Sequence, residues 1–298
     1  MTGIPMSYFE LYGMNSSIYS RNKVTLVITS CGRFDLLQKT MSSFFQYNTY
    51  PIEQVIITDD SDKVVPDFVY SYHRNTVVIN PLIKVGQIKS IDRAYEMVKT
   101  DLIFHCEDDW LFLRGGFIEE SLKYIIDDPH VITVWLRDRN VFRKLILVNG
   151  HFDGYYSSKN CHWNSGFTFN PGLRRLKDYE LIGTFDSVVT FDPKCASNSE
   201  RQIGLAYKAK GYYGEITERG YIDHIGDTRH VIQCLSSIEE INAIGAKNGR
   251  KRGVFDVVKS INTQKKQIAI SIIPIINQSR RIDEGVTRFY TKLNRNQK

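Results

Sequence analysis

Four short apolar runs constrain this chain more than any other feature. Val24 to Thr29 (VTLVIT), Gln54 to Thr58 (QVIIT), Thr76 to Ile79 and Asp101 to Cys106 (DLIFHC) are rich in β-branched residues. Such runs are the mark of strands buried on both faces of a sheet. Between the first two, Phe34, Leu37, Met41, Phe44 and Phe45 recur at helical spacing and predict a helix over 34–47. Before the fourth, Gly86 opens a second helix whose apolar face is Ile88, Ile91, Ala94, Tyr95 and Val98. The alternation predicts an α/β fold, with a mostly parallel central sheet and helices on both of its faces.

Beyond the fourth run the pattern predicts a helix over 117–126 and a strand over 131–136. From 140 the chain is rich in aromatics, Gly and Asn, and reads as a loop-heavy region leading into a mixed part of the sheet. A helix over 200–210 and a strand over 212–217 follow, and from Ser236 onward the chain is helical in flavour. The expected organisation is an N-terminal arm (1–22), one catalytic domain (23–235) and a basic helical C-terminal extension (236–298). The domain divides into a nucleotide-binding half (23–115) and an acceptor-binding half (116–235).

Charge is divided unevenly along these parts. The 298 residues hold 39 Lys/Arg and 33 Asp/Glu, a net +6. From Glu239 to the end there are 13 basic and 5 acidic residues, so the preceding 238 residues are slightly acidic. A basic tail on an acidic domain argues against a nucleic-acid footprint spread over the protein, and no interleaving of aromatic and basic residues marks an RNA surface. The five cysteines (31, 106, 161, 195 and 234) share no close spacing and form neither a zinc knuckle nor a complete disulfide set. No signal peptide is read at the N-terminus. The stretch Ile268 to Ile276 is far short of the roughly 20 residues that span a bilayer. A cytoplasmic location is expected. Lys265, Lys266, Arg280 and Arg281 flank that apolar stretch, which offers peripheral contact with a membrane surface.

The strongest chemical signal is Glu107-Asp108-Asp109, directly after an apolar strand. Three carboxylates at a strand exit repel one another unless a cation neutralises them. Mg²⁺ or Mn²⁺ takes oxygen ligands and also bridges phosphate oxygens. If the segment stays extended, residues i and i+2 share a side, which pairs Glu107 with Asp109. A solvated acidic turn is the alternative reading.

VTLVITSCGR, QVIITDDSD, GQIKSIDRAYE and LIFHCEDDW together resemble the GT-A nucleotide-sugar glycosyltransferases, most nearly the inverting family 2 type, over roughly residues 24–115. The resemblance implies a metal-dependent transfer of a sugar from a UDP- or GDP-sugar to a glycan, lipid-linked or protein acceptor. It also implies a divalent cation, Mn²⁺ in preference to Mg²⁺. By the same resemblance Asp60, with Asp59 beside it, meets the base of the nucleotide, and Ser30 and Arg33 frame the nucleoside. Glu107 and Asp109 occupy the first and last places of the D-x-D metal motif. Glu107 departs from the usual Asp there, as Asp92 departs from a frequent Asn in the second helix.

The resemblance extends to weaker echoes up to about residue 230. His224, in YIDHIGD, looks like the family's histidine metal ligand, with Gly226 beside it and His230 as a local competitor. Glu200, at the start of a helix, takes the place of the catalytic base, although Arg201 stands where a second acid is usual. Should that register slip, Asp186 or Asp192 is the alternative. Gly166, in Trp163-Asn164-Ser165-Gly166-Phe167, would leave space for the donor sugar. Trp163 either stacks on a sugar or fills the core, Trp110 is expected to pack, and Asp138-Arg139-Asn140, which follows a strand, is a candidate lining of the pocket that no spacing singles out. Two rivals stand beside this reading. A sugar nucleotidyltransferase would need more glycines than SCGRFD has. A carbohydrate- or protein-binding module would keep the fold with a decayed site.

Overall fold

The computed structural model describes residues 22–142, 144–158, 161–164, 166–190, 199–226 and 229. The first half runs β1 (Val24–Ser30), α1 (Phe34–Tyr47), β2 (Ile52–Asp59), β3 (Thr76–Ile79), α2 (Gln87–Tyr95), β4 (Leu102–Glu107), β5 (Trp110–Phe112), α3 (Phe117–Asp127) and β6 (Val131–Trp135). After it come β7 (Lys144–Val148), β8 (His151–Ser158), β9 (Cys161–Asn164), β10 (Gly172–Arg175), α4 (Leu176–Ile182), α5 (Phe185–Val188), α6 (Ser199–Lys208), β11 (Tyr213–Ile216) and β12 (Ile222–His224).

The central sheet has the order β10-β4-β1-β2-β3. The β1–β2, β1–β4 and β2–β3 ladders are parallel, and β10 joins β4 antiparallel at one edge. All seven residues of β1 are buried, and their side chains alternate between two cores. Leu26 and Ile28 pack on one face with Leu37, Met41 and Phe44 of α1 and Phe117, Ile118 and Leu122 of α3. Val27, Ile56 and Ile103 pack on the other with Ile91, Ala94 and Tyr95 of α2, Phe185 of α5 and Ile203 and Tyr207 of α6. Helices therefore cover both faces, because a strand of period two delivers apolar side chains to each.

The central sheet is mostly parallel as expected, but the mixed part, expected as a continuation of it, forms a sheet of its own. A second, mixed sheet has the order β6-β11-β8-β7, with β9 paired to β8. Its β6–β11 ladder is parallel and its β7–β8 and β8–β9 ladders are antiparallel. Hairpins thus occupy much of the region read as loop. A third, two-stranded sheet joins β5 to β12. The expected C-terminal extension lies outside the described residues, as do all but the last residue of the N-terminal arm. Among the described residues no helix is long and apolar enough to cross a membrane.

Register sets the working edge. Ser30 is opposite Asp59 across β1–β2, and Thr29 is opposite Glu107 across β1–β4. Three strands therefore release their carboxyl ends at one edge, where open α/β sheets bind ligands.

Candidate active site

A cavity of about 390 Å³ opens at this edge. Ser30 and Arg33 reach it from the β1–α1 turn, Asp60 from the end of β2, and Glu107 and Asp109 from the end of β4. Glu200 enters from α6 and His224 from β12. Asp59 and Gly166 do not line it.

The acidic turn is held from below. β4 ends at Glu107, and the chain turns through Asp108 and Asp109 into β5 instead of staying extended. The buried Thr40 hydroxyl of α1 donates to the Asp108 carbonyl (2.8 Å) and accepts from the Trp110 amide (3.1 Å). Ser43, one helical turn on, accepts from the Phe112 amide at 3.0 Å. Two polar residues on the buried side of α1 thus satisfy the backbone where the β4 ladder ends.

The third sheet brings His224 to this turn. Trp110 pairs with His224 across β5–β12, and the Ile225 amide donates to the Asp109 carbonyl at 2.9 Å. His224 Nε2 lies 3.3 Å from Asp109 Oδ2, with its ring edge-on to Trp110 at 4.9 Å. A Cβ on Gly226 would overlap that same oxygen and stand 2.9 Å from Asp109 Cγ, so only glycine leaves the room.

Arg33 closes the other side. Its Nη2 pairs with Asp108 Oδ1, its Nε lies 3.2 Å from Asp108 Oδ2, and its Nη1 donates to Asp109 Oδ2 at 2.8 Å. Arg33 Nη1 also donates to the carbonyl of Arg229 (3.1 Å), whose guanidinium forks onto Asp35. Burial pushes the Asp108 carboxyl up to about 6 despite the Arg33 charge. Burial acts on Asp109 as well, but the hydrogen bond with His224 and the charge of Arg33 outweigh it and hold that carboxyl below its usual range.

Glu107 has a different environment. Gln87 Nε2 donates to its Oε1 at 3.1 Å and Trp110 Nε1 approaches Oε2 at 3.4 Å. Burial, then the charges of Asp109 and Glu200, push its carboxyl up to about 8. Glu200 takes the Thr168 hydroxyl (2.9 Å) and the Phe169 amide on one oxygen, Oε1. Burial raises its carboxyl, while those donors and the charge of Arg174 oppose the rise.

The two strand-two acids divide their work. Asp59 is fully buried and ties the loops together, accepting from the Gly32 amide (2.8 Å), the Ser61 amide (3.0 Å) and the Ser61 hydroxyl. Asp60 accepts from the amides of Val85 (2.6 Å) and Gly86 (3.2 Å), just before α2, and still lines the cavity. Gly166 serves a backbone contact. At φ +69° its added Cβ would lie 2.7 Å from the Gly214 nitrogen, and its carbonyl accepts from Trp135 Nε1 at 2.8 Å.

Among the described residues no three His, Cys, Asp or Glu side chains converge as a metal cage. Asp109 and His224 are the pair poised on one point. Two protein ligands suit a cation that arrives with phosphate oxygens and water.

The sequence profile of glycosyl transferase family 2 matches residues 25–184, more than half of the chain. The chain belongs to this family. No curated protein matches it. Among solved structures, the fold is shared with the mannosyltransferase PcManGT from Pyrobaculum calidifontis, in complex with GDP-Man and Mn²⁺. Identity is 13%, the TM-score is 0.51, and 70% of this chain and 58% of that one are covered. It is also shared with GalNAc-T7, solved with UDP, GalNAc and Mn²⁺, at 11% identity and a TM-score of 0.52 over 74% of this chain and 47% of that one. At such identities the likeness is one of fold, and this chain spans 58% and 47% of the two proteins' lengths.

The family 2 motif explains why Asp109 was legible, but not its surroundings. Lys84, Gln87, Asp108 and Asn170 also line the cavity, and only Asp108 carried a signal, as the middle of three acids. Of the alternatives to Glu200, Asp186 is exposed and lies 3.9 Å from Lys89. Asp192 and His230 lie outside the described residues. Trp163 has its backbone in β9, and its side chain is also outside them. The buried Asp92 accepts from Tyr179 and from the amides of Phe185 and Asp186, each at 2.9 Å, and so fastens α5 to α2.

Proposed function

We propose that this family 2 chain transfers a sugar, with inversion, from a UDP- or GDP-sugar to a hydroxyl of a glycan, lipid-linked or protein acceptor. The observation that carries the reading is the convergence of Arg33, Asp60, Asp109, Glu200 and His224 on one cavity at the sheet edge. Asp109 and His224 would hold a divalent cation, with Mn²⁺ favoured over Mg²⁺ because an imidazole joins the carboxylate. The cation would supply Lewis-acid stabilisation of the departing diphosphate.

The remaining chemistry belongs to the chain's own groups. Asp60 and Ser30 border the nucleoside end of the cavity. Arg33 and Lys84 bring positive charge to its wall, and both suit a diphosphate. Glu107, held by Gln87 and Trp110, stands behind Asp109, where burial favours its protonated form and a bound cation would favour the ionised one. Glu200 takes the proton of the acceptor hydroxyl as that oxygen bonds to the anomeric carbon and the bond to the diphosphate oxygen breaks. Burial raises its basicity toward working pH, as a general base requires. The acceptor-binding half (116–235) and membrane contact through the C-terminal extension complete this reading.

The test is a thermal-shift screen of UDP, GDP and their sugars, with Mn²⁺, with Mg²⁺ and with chelator. Stabilisation by a nucleoside diphosphate that needs Mn²⁺ and vanishes in Asp109→Asn is the expected result. A ligand at about 100 times its Kd adds about 2.7 kcal/mol. Indifference of the wild-type protein to every one of these ligands overturns the reading.

A further inference from the structure

Two adjacent arginines in β10 are buried, and only one of them is explained by structure. Arg175 is saturated. Its Nε meets Asp178 at 2.6 Å, and its two Nη atoms donate to the carbonyls of Ile125 (2.8 Å), Pro129 (2.6 Å) and Val131 (2.6 Å). It ties β10 to α3 and β6 with its charge paired.

Arg174 faces the other way and is 2% exposed. Its Nη2 donates to the Thr168 carbonyl at 2.9 Å, while Nε and Nη1 make no hydrogen bond among the described residues. No carboxylate among those residues lies within ion-pair distance of it. Its guanidinium stands over the rings of Phe167 (5.0 Å) and Phe169 (6.0 Å). A buried, unpaired guanidinium is among the costliest groups to remove from water. A leucine would fill a purely packing role at far lower cost.

The residue that Arg174 grips is the one that grips Glu200. The Thr168 carbonyl accepts from Arg174, the Thr168 hydroxyl donates to Glu200 Oε1, and the amide of the next residue, Phe169, donates to the same oxygen. Thr168 is itself buried. We propose that Arg174 is the positioning residue of Glu200, fixing the Thr168–Phe169 backbone so that two donors converge on one carboxylate oxygen at the cavity wall. This rests on the reading of Glu200 as the base.

Charge acts in the same direction as geometry. The groups that bear on the Glu200 carboxylate are the two donors of the 168–169 segment and Arg174 from β10, and all of them oppose the rise that burial imposes. Arg174 thereby favours the ionised carboxylate that accepts a proton. Arg174 also bears on the Tyr95 hydroxyl and on the His105 ring in the same core, and those two groups bond to each other at 3.1 Å.

The experiment compares R174M, R174K, T168V, T168S and E200Q in the full chain. It follows Mn²⁺-dependent turnover of UDP-glucose, UDP-N-acetylglucosamine and GDP-mannose. R174M is expected to lower kcat by about 10- to 100-fold with donor KM little changed, the scale of a misplaced catalytic group. The acidic limb of its pH profile should move upward, and R174K and T168S should restore most of the rate. Unaltered kcat and pH profile in R174M, while E200Q is dead, overturn the proposal. If R174M does not fold, R174Q, which keeps a donor but removes the charge, carries the comparison, and T168V serves as the control that removes a direct donor to Glu200. If no donor turns over, or E200Q is as active as the wild type, the base assignment has failed instead. The ¹³C titration of the Glu200 carboxyl, assigned through E200Q, then decides the coupling alone. An upward move of about 1–3 pH units in R174M or R174Q upholds it, and an unmoved titration removes it.

Discussion

Arg33 Nη1 lies 2.8 Å from Asp109 Oδ2, the carboxylate oxygen that His224 also approaches. A divalent ion at that oxygen must displace or share it with the guanidinium, so Arg33 stands as a competing cation. Removing it has two opposite effects. Arg33→Met should raise the affinity for Mn²⁺ alone by at least about tenfold, since a positive charge in contact with the ligand is gone. The same variant should lose about 3 kcal/mol of stability in chelator, because Asp108 loses the partner of a buried pair. Mn²⁺ binding followed by electron paramagnetic resonance, with urea unfolding alongside, separates the two. Weaker Mn²⁺ binding in the variant would show that Arg33 helps to build the site.

The raised carboxyls give the protein a definite response to pH. Burial holds Glu107 at about 8, against an ordinary 4.5, and Asp108 at about 6, against 3.8. Between the ordinary and raised values the unfolded chain has released these protons and the folded chain has kept them. Stability from these groups is therefore full below about pH 4 and is lost as pH rises toward 8, where the loss levels off. Urea midpoints in chelator should fall across pH 5–8, and Mn²⁺ should flatten the slope by favouring the ionised forms. A chelated protein that gains stability over this window contradicts the buried acid cluster.

How far the sequence could be read depended on what each segment buries. β1, β2 and β4 are covered on both faces, so they appear as apolar runs. β7 does hold an apolar run, Leu145 to Val148, but it is largely exposed and sits in a region whose Gly, Asn and aromatic content reads as loop, and β8 is interrupted by glycine at 154. β10 reads GLRR, and no propensity marks a strand whose two arginines are both buried. In the site, the D-x-D pattern located Asp109, and the β5–β12 ladder then explains why a residue 115 positions later meets it. The pattern was silent on Arg33 bridging Asp108 and Asp109. The resemblance singled out Asp60 with Asp59 beside it, and the structure has Asp60 lining the cavity and Asp59 buried, because neighbouring residues at a strand end face opposite ways.

Gly166 offers a way to separate backbone packing from substrate contact. At φ +69°, with a Cβ that would lie 2.7 Å from the Gly214 nitrogen, alanine is both strained and clashing. Gly166→Ala should cost roughly 2–4 kcal/mol. Folded protein should still bind Mn²⁺ and nucleoside diphosphate as before, because Gly166 does not line the cavity. Isothermal titration at a temperature where the variant is fully folded is the measurement. Intact stability with lost donor-sugar binding would return Gly166 to the substrate.

Gly226 makes the opposite case, since its missing side chain opens space directly against Asp109. A Cβ there would overlap Asp109 Oδ2 and crowd Cβ and Cγ of the same residue. Asp109 has little freedom to retreat, because His224 and Arg33 hold its side chain and Ile225 holds its carbonyl. Either the carboxylate rotates away from His224 or β12 parts from β5. Both break the pair that would hold the cation, while the two sheets and their cores are untouched. Gly226→Ala should therefore remain folded, lose at most about 1–2 kcal/mol, and bind Mn²⁺ at least about tenfold more weakly than the wild type. Serine at this position should behave like alanine, because the obstruction is the Cβ itself. Unchanged Mn²⁺ binding in both variants would mean that the ion is held away from Asp109 Oδ2, and the ligand pair would then have to be sought elsewhere along the cavity wall.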